Sequence, residues 1–394
     1  MRSRLKLLTR CLFSALLALV ATASTAIPAI QRLPTVYTLE DGSRVQVELV
    51  ASGLQVPWDM AFTPAGGIIV SERIGLLQLI SADGRRRELD RLPQVYARDE
   101  SGLMGIALHS VNRDQLFIYL CYSERKGLFG TENVLVKAML GRFGLLNEQE
   151  LLRWQGDRFH NGCQVAIGPD QKLYVTTGDA TDGQQAQDPD SLLGKLLRLE
   201  LDGTFPHDNP MPDSAVYSLG HRNSQGLSWA GDQLYLVEHG PSGSDGKQGS
   251  DELNRIVAGG NYGWPQVYGR NEQDNSPRVV AGADQKMSGR QWPVLLWDQA
   301  VAPAGMLFYR GDKLPAWRNQ LFVATLAGES LLRIALDGQG EPVDQEVLFK
   351  GEFGRIRAVA EGPDGYLYFS TSNLDGRGTP SSSGDLLLRV VPVD

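Results

Sequence analysis

Six times along this 394-residue chain, turn residues give way to a short run of alternating apolar residues. The copies are TPAGGIIVSER from Thr63, NRDQLFIYLCY from Asn112, GPDQKLYVTTGD from Gly168, AGDQLYLVEHG from Ala230, RNQLFVATLAG from Arg318 and GPDGYLYFSTSN from Gly362. Each reads as a turn opening into a half-buried strand, because successive side chains of a strand point to opposite faces. With Ile68, Leu116, Leu173, Leu234, Leu321 and Leu367 as equivalent points, the spacings are 48, 57, 61, 87 and 46 residues. A unit of that length holds four short strands, and a ring of such units buries both faces of each sheet and leaves only short edges. The expectation is therefore all-β: a six-bladed β-propeller with four-stranded antiparallel blades, a single domain over residues 36–392. A β-helix has a shorter period, and a β-sandwich does not repeat one turn-strand unit six times. After residue 26, no 15-residue window keeps the apolar spacing of an amphipathic helix. The 87-residue interval predicts an insertion, and it contains the Gly-, Ser- and Asp-rich stretch from Gly240 to Gly263. Loops carried on a rigid scaffold are where function commonly collects.

Ahead of the repeats, Arg2, Arg4, Lys6 and Arg10 precede the apolar run from Cys11 to Val20 and the small residues Ser24-Thr25-Ala26. That order reads as a secretory signal peptide over residues 1–26, since the run is shorter than the roughly 20 residues that span a bilayer. The expected product is periplasmic or secreted, with no membrane span after cleavage. Loss of these four basic residues takes the formal net charge from −8 to −12. So acidic a chain is a poor match for nucleic acid, whose phosphates demand clustered positive charge. Cys121 and Cys163 are left to form at most one internal disulfide, and neither lies in a Cys-x-x-C pattern. The sequence leaves open whether they pair, and whether the protein is a monomer or a homodimer.

Several catalytic signatures are absent: the P-loop, the Gly-rich dinucleotide fingerprint, His-Glu-x-x-His and the Gly-x-Ser-x-Gly elbow. Polar residues collect in three places instead. His160 lies in DRFHNGCQVAIGPD, just before the third copy, and Asp179 follows 19 residues later in TTGD. A strand-turn-strand hairpin would return Asp179 beside His160, where a carboxylate fixes the imidazole tautomer and supports it as a general base. An ordinary loop histidine is the other reading of that spacing. His221, Arg222 and Asn223 form GHRNSQG ahead of the fourth copy. Arg355 and Arg357 alternate in GRIRAV and so share a strand face, which suits a planar carboxylate ligand. A solvated face paired with acidic neighbours fits the same pattern.

At these residues the chain resembles the soluble quinoprotein sugar dehydrogenases, the family of glucose and aldose dehydrogenases that depend on pyrroloquinoline quinone (PQQ). The similarity runs from about Leu49 to Val391 and includes ESGLMGIALHS, HNGCQVAIGPDQKLYVTTGD, LLGKLLRLELDGTFPHDNP, YSLGHRNSQGL, EHGP followed by SDELNRIVAGGNYGWP, VAPAGMLFYRGDKLPAW and GRIRAVAEGPDG. The resemblance implies a six-bladed propeller that uses PQQ and calcium to oxidise the anomeric C1 hydroxyl of an aldose to the lactone, passing electrons to an unidentified acceptor. His160 falls at the position of the catalytic base and Asp179 at the carboxylate that orients it. Arg222 and Asn223 match the residues that contact the quinone oxygens. Arg355 and Arg357 match the pair that binds the PQQ carboxylates, and Glu100 a polar residue lining the pocket. The main-chain oxygens of Gly240 and Pro241 would hold the calcium that also chelates PQQ, as suits a hard cation. Glu252, through its carboxylate, and Tyr262, through a main-chain oxygen, resemble the pair at a second, structural calcium. Trp297 is the nearest candidate for the indole that covers the quinone. Two departures stand out: Ala327 replaces a lysine of the glucose-oxidising relatives, and Gln164 an arginine common in the family. The alternatives are a calcium-dependent propeller lactonase and a noncatalytic propeller that binds a sugar or a protein.

Overall fold

A computed structural model describes residues 33–112, 115–128, 130–242, 249–270, 277–279 and 289–393. The expected signal peptide over residues 1–26 lies outside the described residues, as does part of the Gly240–Gly263 stretch. Among the described residues the helical elements are two 3₁₀ turns, Gly183–Gln187 and Pro315–Trp317, and the rest is strand and loop.

The strands form six antiparallel sheets arranged as blades. Blade 1 is Pro57–Phe62, Ile68–Glu72, Leu76–Ile80 and Arg86–Arg91. Blade 2 is Leu103–Ser110, Leu116–Lys126, Gly130–Gly141 and Gly144–Gly156. Blade 3 is Gly162–Ile167, Leu173–Thr177, Lys195–Leu199 and Val216–Leu219. Blade 4 is Ser224–Ala230, Gln233–Glu238, Asp251–Arg255 and Leu295–Trp297. Blade 5 is Pro303–Tyr309, Gln320–Thr325, Ser330–Leu336 and Pro342–Leu348. Blade 6 is Ile356–Glu361, Leu367–Thr371 and Asp385–Pro392, completed by Arg44–Leu54 from the start of the chain, with Thr35–Thr38 added as a fifth strand at its edge. The first strand of each blade packs against that of the next, and Ile356–Glu361 returns to pack on Pro57–Phe62, so the ring is closed. Pairing of Val47 with Val390 and Leu49 with Leu388 joins the two ends of the chain within one sheet.

The six equivalent points all fall in the second strand of a blade. That strand is sandwiched between neighbouring sheets, and Ile68–Glu72, Leu173–Thr177 and Leu367–Thr371 are buried at every position. The second strand is thus buried on both faces and not half-buried as its alternation suggested, whereas the outer strand Gly144–Gly156 is exposed over residues 146–150. The turn chemistry also repeats. In blade 3, Asp170 Oδ1 accepts the Lys172 amide at 3.2 Å and Asp170 Oδ2 accepts the Tyr174 hydroxyl at 3.0 Å. In blade 6, Asp364 does the same for Tyr366 and Tyr368, at 3.3 and 2.7 Å. An aspartate that caps its own turn and a tyrosine that ties it down account for the GPD…Y signature.

The additional length of blade 4 sits later than the composition suggests. The Gly240–Gly263 stretch contains the third strand, Asp251–Arg255, and the insertion lies between that strand and Leu295–Trp297. It carries a small two-stranded sheet, Val267–Arg270 with Pro277–Val279, and its Asn261 bridges in parallel to Leu219 at the edge of blade 3.

Cys121 in blade 2 and Cys163 in blade 3 form a disulfide, with Cα atoms 5.6 Å apart and a sequence separation of 42. Closing a loop of that size stabilises the folded state by about 4 kcal/mol in the chain-entropy account. The Cys121→Ala/Cys163→Ala variant is therefore expected to unfold several degrees lower than the parent. Thermal unfolding with and without a reductant checks this, because the reductant should lower the midpoint of the parent and leave the variant unmoved.

Candidate functional site

In an antiparallel hairpin the start of the first strand and the end of the second share one edge, so six blades bring six such edges to one mouth of the ring. Glu100, His160, Arg222 with Asn223, and Arg355 each stand just ahead of a blade's first strand, while Asp179, Gly240 and Ala327 follow a second strand. These residues line a cavity of two lobes. The larger, about 730 Å³, is bounded by His160, Asp179, Arg222, Asn223, Gly240 and Ala327 among others. The smaller, about 240 Å³, is bounded by Trp58, Arg73, Gln225, Arg357 and Asp375 among others. Glu100, Phe159, His239, Leu326, Arg355 and Arg377 belong to both.

The hairpin of blade 3 returns Asp179 to His160. Gly162 pairs with Thr177, and His160 Nδ1 lies 2.8 Å from Asp179 Oδ1. The two chains can approach so closely because residue 178 is glycine; a Cβ there would fall 1.8 Å from the His160 carbonyl oxygen. His160 itself has φ +55°, a left-handed conformation that a bulky residue adopts only when its surroundings hold it. They do so from both sides: the His160 amide donates to Glu100 Oε2 at 3.0 Å and its carbonyl accepts the Ala180 amide at 3.1 Å. Burial acts to raise the Glu100 pKa, but the neighbouring Arg377, His239 and His160 outweigh it and leave the carboxyl lowered.

Arg222 enters from blade 4. Its Nη2 donates to His160 Nε2 at 3.0 Å, and its backbone amide donates to Glu238 Oε2 at 2.7 Å. A guanidinium has no acceptor, so His160 Nε2 carries a lone pair and the ring proton resides on Nδ1, directed at Asp179. Asn223 Oδ1 accepts the Gly162 amide at 3.1 Å, tying the start of blade 4 to blade 3.

The smaller lobe is rich in guanidinium groups. Arg355 donates to Asp375 Oδ2 at 2.7 Å, whereas Arg357 donates to the neutral Gln225 Oε1 at 2.7 Å and lies 4.2 Å from the Trp58 ring centroid. Burial pulls the Arg357 pKa down to about 9. A buried cation that hydrogen-bonds a neutral amide beside a cavity is a fit for an anionic ligand group.

Gly240 borders the larger lobe, with its amide donating to Asp251 Oδ1 at 2.8 Å, and Pro241 O accepts the Gly249 amide at 3.2 Å. Glu252 and Tyr262 lie apart from that lobe, around a small cavity that also reaches Glu238, Gly240 and Pro241. Burial, with the Glu238 carboxylate next to it, raises the Glu252 pKa. Among the described residues no three His, Cys, Asp or Glu side chains converge as a metal site. The oxygen donors this region offers a hard ion are the Glu238 and Glu252 carboxylates and the main chain around them.

Trp297 is not part of the site. It belongs to the outermost strand of blade 4, packs with Tyr235, Met306 and Leu332, and donates through Nε1 to Gln345 Oε1 at 2.8 Å. The indoles at the cavity are Trp264, from the blade 4 insertion, in the larger lobe and Trp58 in the smaller one. Gln164 also faces elsewhere, donating to Asp59 Oδ2 at 3.0 Å across to blade 1. Residues of the cavity that the sequence reading passed over include His239, whose pKa burial pulls down to about 3, together with Arg377 and Asp375 from NLDGRG. His239 was visible as one of five histidines, but nothing in its spacing set it apart.

A family model described as glucose/sorbosone dehydrogenase matches residues 54–388. The chain is 32% identical to the aldose sugar dehydrogenase YliI of Escherichia coli, over 87% of this chain and 92% of that one. It is 25% identical to quinoprotein glucose dehydrogenase B of Acinetobacter calcoaceticus, over 87% and 88% of the two chains. Among solved structures, the PQQ-bound form of the aldose sugar dehydrogenase from Streptomyces coelicolor is similar with a TM-score of 0.75 at 34% identity, covering 89% of this chain and 98% of that one.

Proposed function

Since the chain belongs to the glucose/sorbosone dehydrogenase family and is thus an oxidoreductase, we propose that it oxidises the anomeric C1 hydroxyl of aldose sugars to the lactone, with PQQ and calcium as cofactors. The observation that carries this reading is the hydrogen-bonded series Arg222, His160, Asp179, which sets the one lone pair of His160 on Nε2 at the wall of the larger lobe, where it accepts the Arg222 guanidinium. Once the sugar hydroxyl has replaced Arg222 Nη2 at His160 Nε2, the imidazole takes its proton there, and Asp179 stabilises the imidazolium that forms without itself taking the proton. When bound, PQQ supplies the two-electron acceptor for the hydride that leaves C1. Arg222 and Asn223 offer donors to developing negative charge in the larger lobe, where Glu100 completes the wall. Arg355 and Arg357 hold carboxylates in the smaller lobe, and Ala327 contributes no charge beside them. Main-chain oxygens of Gly240 and Pro241 would hold a calcium ion, which would supply Lewis-acid polarisation of the acceptor, and Glu252 and Tyr262 would hold a second, structural ion.

Export is part of the proposal, supported by the pattern of residues 1–26 and by a disulfide of the kind that oxidising compartments permit. Among the described residues no helix is long and apolar enough to cross a membrane. Reconstituting the purified protein with PQQ and calcium and following dye reduction over a panel of aldoses tests the reading. Activity is expected only with both additions, and a chelator should lower it at least tenfold, reversibly with calcium. Failure to retain PQQ or to oxidise any aldose overturns the reading; metal-dependent lactone cleavage without PQQ would favour the hydrolase, and tight sugar binding without redox chemistry the noncatalytic propeller.

A further inference from the structure

We propose that Trp264 is a positioning residue, which orients the Asp179 carboxylate so that His160 keeps its proton on Nδ1 and its lone pair on Nε2. The proposal rests on the reading of His160 as the base. Four contacts form a closed circuit. His160 Nδ1 lies 2.8 Å from Asp179 Oδ1, the Trp264 indole N–H donates to Asp179 Oδ2 at 2.7 Å, the Arg222 guanidinium lies 5.4 Å from the Trp264 ring centroid, and Arg222 Nη2 donates to His160 Nε2 at 3.0 Å.

The torsion about an aspartate's last carbon-carbon bond is broad, so one hydrogen bond to the imidazole does not fix the carboxylate plane. The Thr181 amide shares Oδ1 with the imidazole, at 2.9 Å, and it is a donor on the other oxygen that fixes the plane. The indole N–H is suited to this because it donates and never accepts, so Oδ2 is held as the acceptor. Its ring also supports the guanidinium that faces the other imidazole nitrogen. One side chain therefore controls both partners of His160.

Trp264 is itself held on two sides. Its amide donates to Gly220 O at 2.9 Å, two residues before Arg222, and its carbonyl accepts Gln187 Nε2 at 2.6 Å, from the 3₁₀ turn that follows Asp179. Gly183 closes over the ring, where a Cβ would meet the indole nitrogen at 3.0 Å. With Trp264 only 6% exposed, water does not compete for the N–H. The insertion that lengthens blade 4 thus reaches across to complete the site on blade 3.

The test uses the full chain and Trp264→Phe, which keeps a ring beneath Arg222 and removes the donor. We expect kcat to fall about 10- to 100-fold, the range for removing a group that orients a functional ligand, while KM for the sugar and the PQQ dissociation constant hold. In imidazole-¹⁵N-labelled protein, the Nδ1–H signal of His160 should shift and exchange faster as its bond to Asp179 loosens. Unchanged kcat with an unchanged Nδ1–H signal overturns the proposal, and so does a change confined to KM. If Trp264→Phe does not fold, the wild-type indole N–H decides: protected from exchange and shifted by Asp179→Asn if the proposal holds, freely exchanging if it does not. Should the loaded wild-type protein oxidise no aldose, the functional reading fails, whereas the Nδ1–H measurement needs no substrate and still judges Trp264.

Discussion

Replacing His160 by alanine is expected to lower kcat about 10³-fold while the protein still saturates with PQQ. The magnitude lies within the 10²- to 10⁴-fold contribution of a positioned general base. Binding survives because the buried cations of the smaller lobe, Arg355 and Arg357, are untouched. The fold tolerates the change for a specific reason: Asp179 retains the Trp264 indole on Oδ2 and the Thr181 amide on Oδ1, at 2.7 and 2.9 Å, so no buried carboxylate is orphaned. Position 160 has φ +55°, and His160→Asn serves as a folding control because asparagine accepts that region more readily than alanine. Steady-state rates with dye, together with a PQQ absorbance titration, check the expectation. Retention of more than a tenth of the parental kcat in both variants would remove His160 from the role of base.

The ring was legible because its most buried strand is also its most regular. Each second strand is flanked by sheets on both faces, and each is introduced by a turn whose Asp, Asn or Gly has to be there; both constraints are local and survive divergence of the loops. Thr35–Thr38 escaped notice because four residues, TVYT, with no fully buried position are too few to establish a period. The closure between Arg44–Leu54 and Asp385–Pro392 is a pairing across more than three hundred residues, which no window of sequence reports.

The site was partly readable for a related reason. His160 and Asp179 flank a single hairpin, so their spacing and the strand reading together place them side by side. Trp264 reaches Asp179 over a sequence separation of 85, from an insertion whose path along the edge of blade 3 is fixed by Asn261 and not by any periodicity. Hence Trp297, in an ordinary strand, was the nearer candidate for an aromatic at the cofactor. Arg377, in the loop between the second and third strands of blade 6, shows the same limit, since it meets Glu100 only across the ring. Asp375 of that loop meets Arg355 within one hairpin, as Asp179 meets His160, but an acidic turn residue in NLDGRG did not stand out from the other turn aspartates.

Arg357→Met should move stability and cofactor affinity in opposite directions. Arg357 is 7% exposed, donates to the neutral Gln225 amide and is lowered in pKa first by burial, with Arg355 and Arg73 adding to the repulsion against Asp375 and Glu100. Removing a buried cation that faces a neutral amide relieves a desolvation penalty of several kcal/mol and sets against it about 1–3 kcal/mol for the Gln225 acceptor left without its donor. The cofactor-free variant is accordingly expected to unfold at the parental temperature or above it. With an anionic carboxylate bound, the same guanidinium becomes one half of a desolvated pair, whose truncation costs about 2–5 kcal/mol and so weakens PQQ binding roughly 30- to several thousand-fold. Arg355 provides the contrast. Its Nε donates to Asp375 Oδ2 at 2.7 Å, so Arg355→Met strips a partly buried carboxylate of its paired cation and should destabilise the cofactor-free protein as well as weaken PQQ. Thermal unfolding without cofactor and a PQQ titration on both variants measure the two quantities separately. A lowered unfolding temperature for Arg357→Met with unchanged PQQ affinity would make Arg357 a structural residue, because only a charge held ready for a ligand carries its cost in the free protein and its gain in the complex.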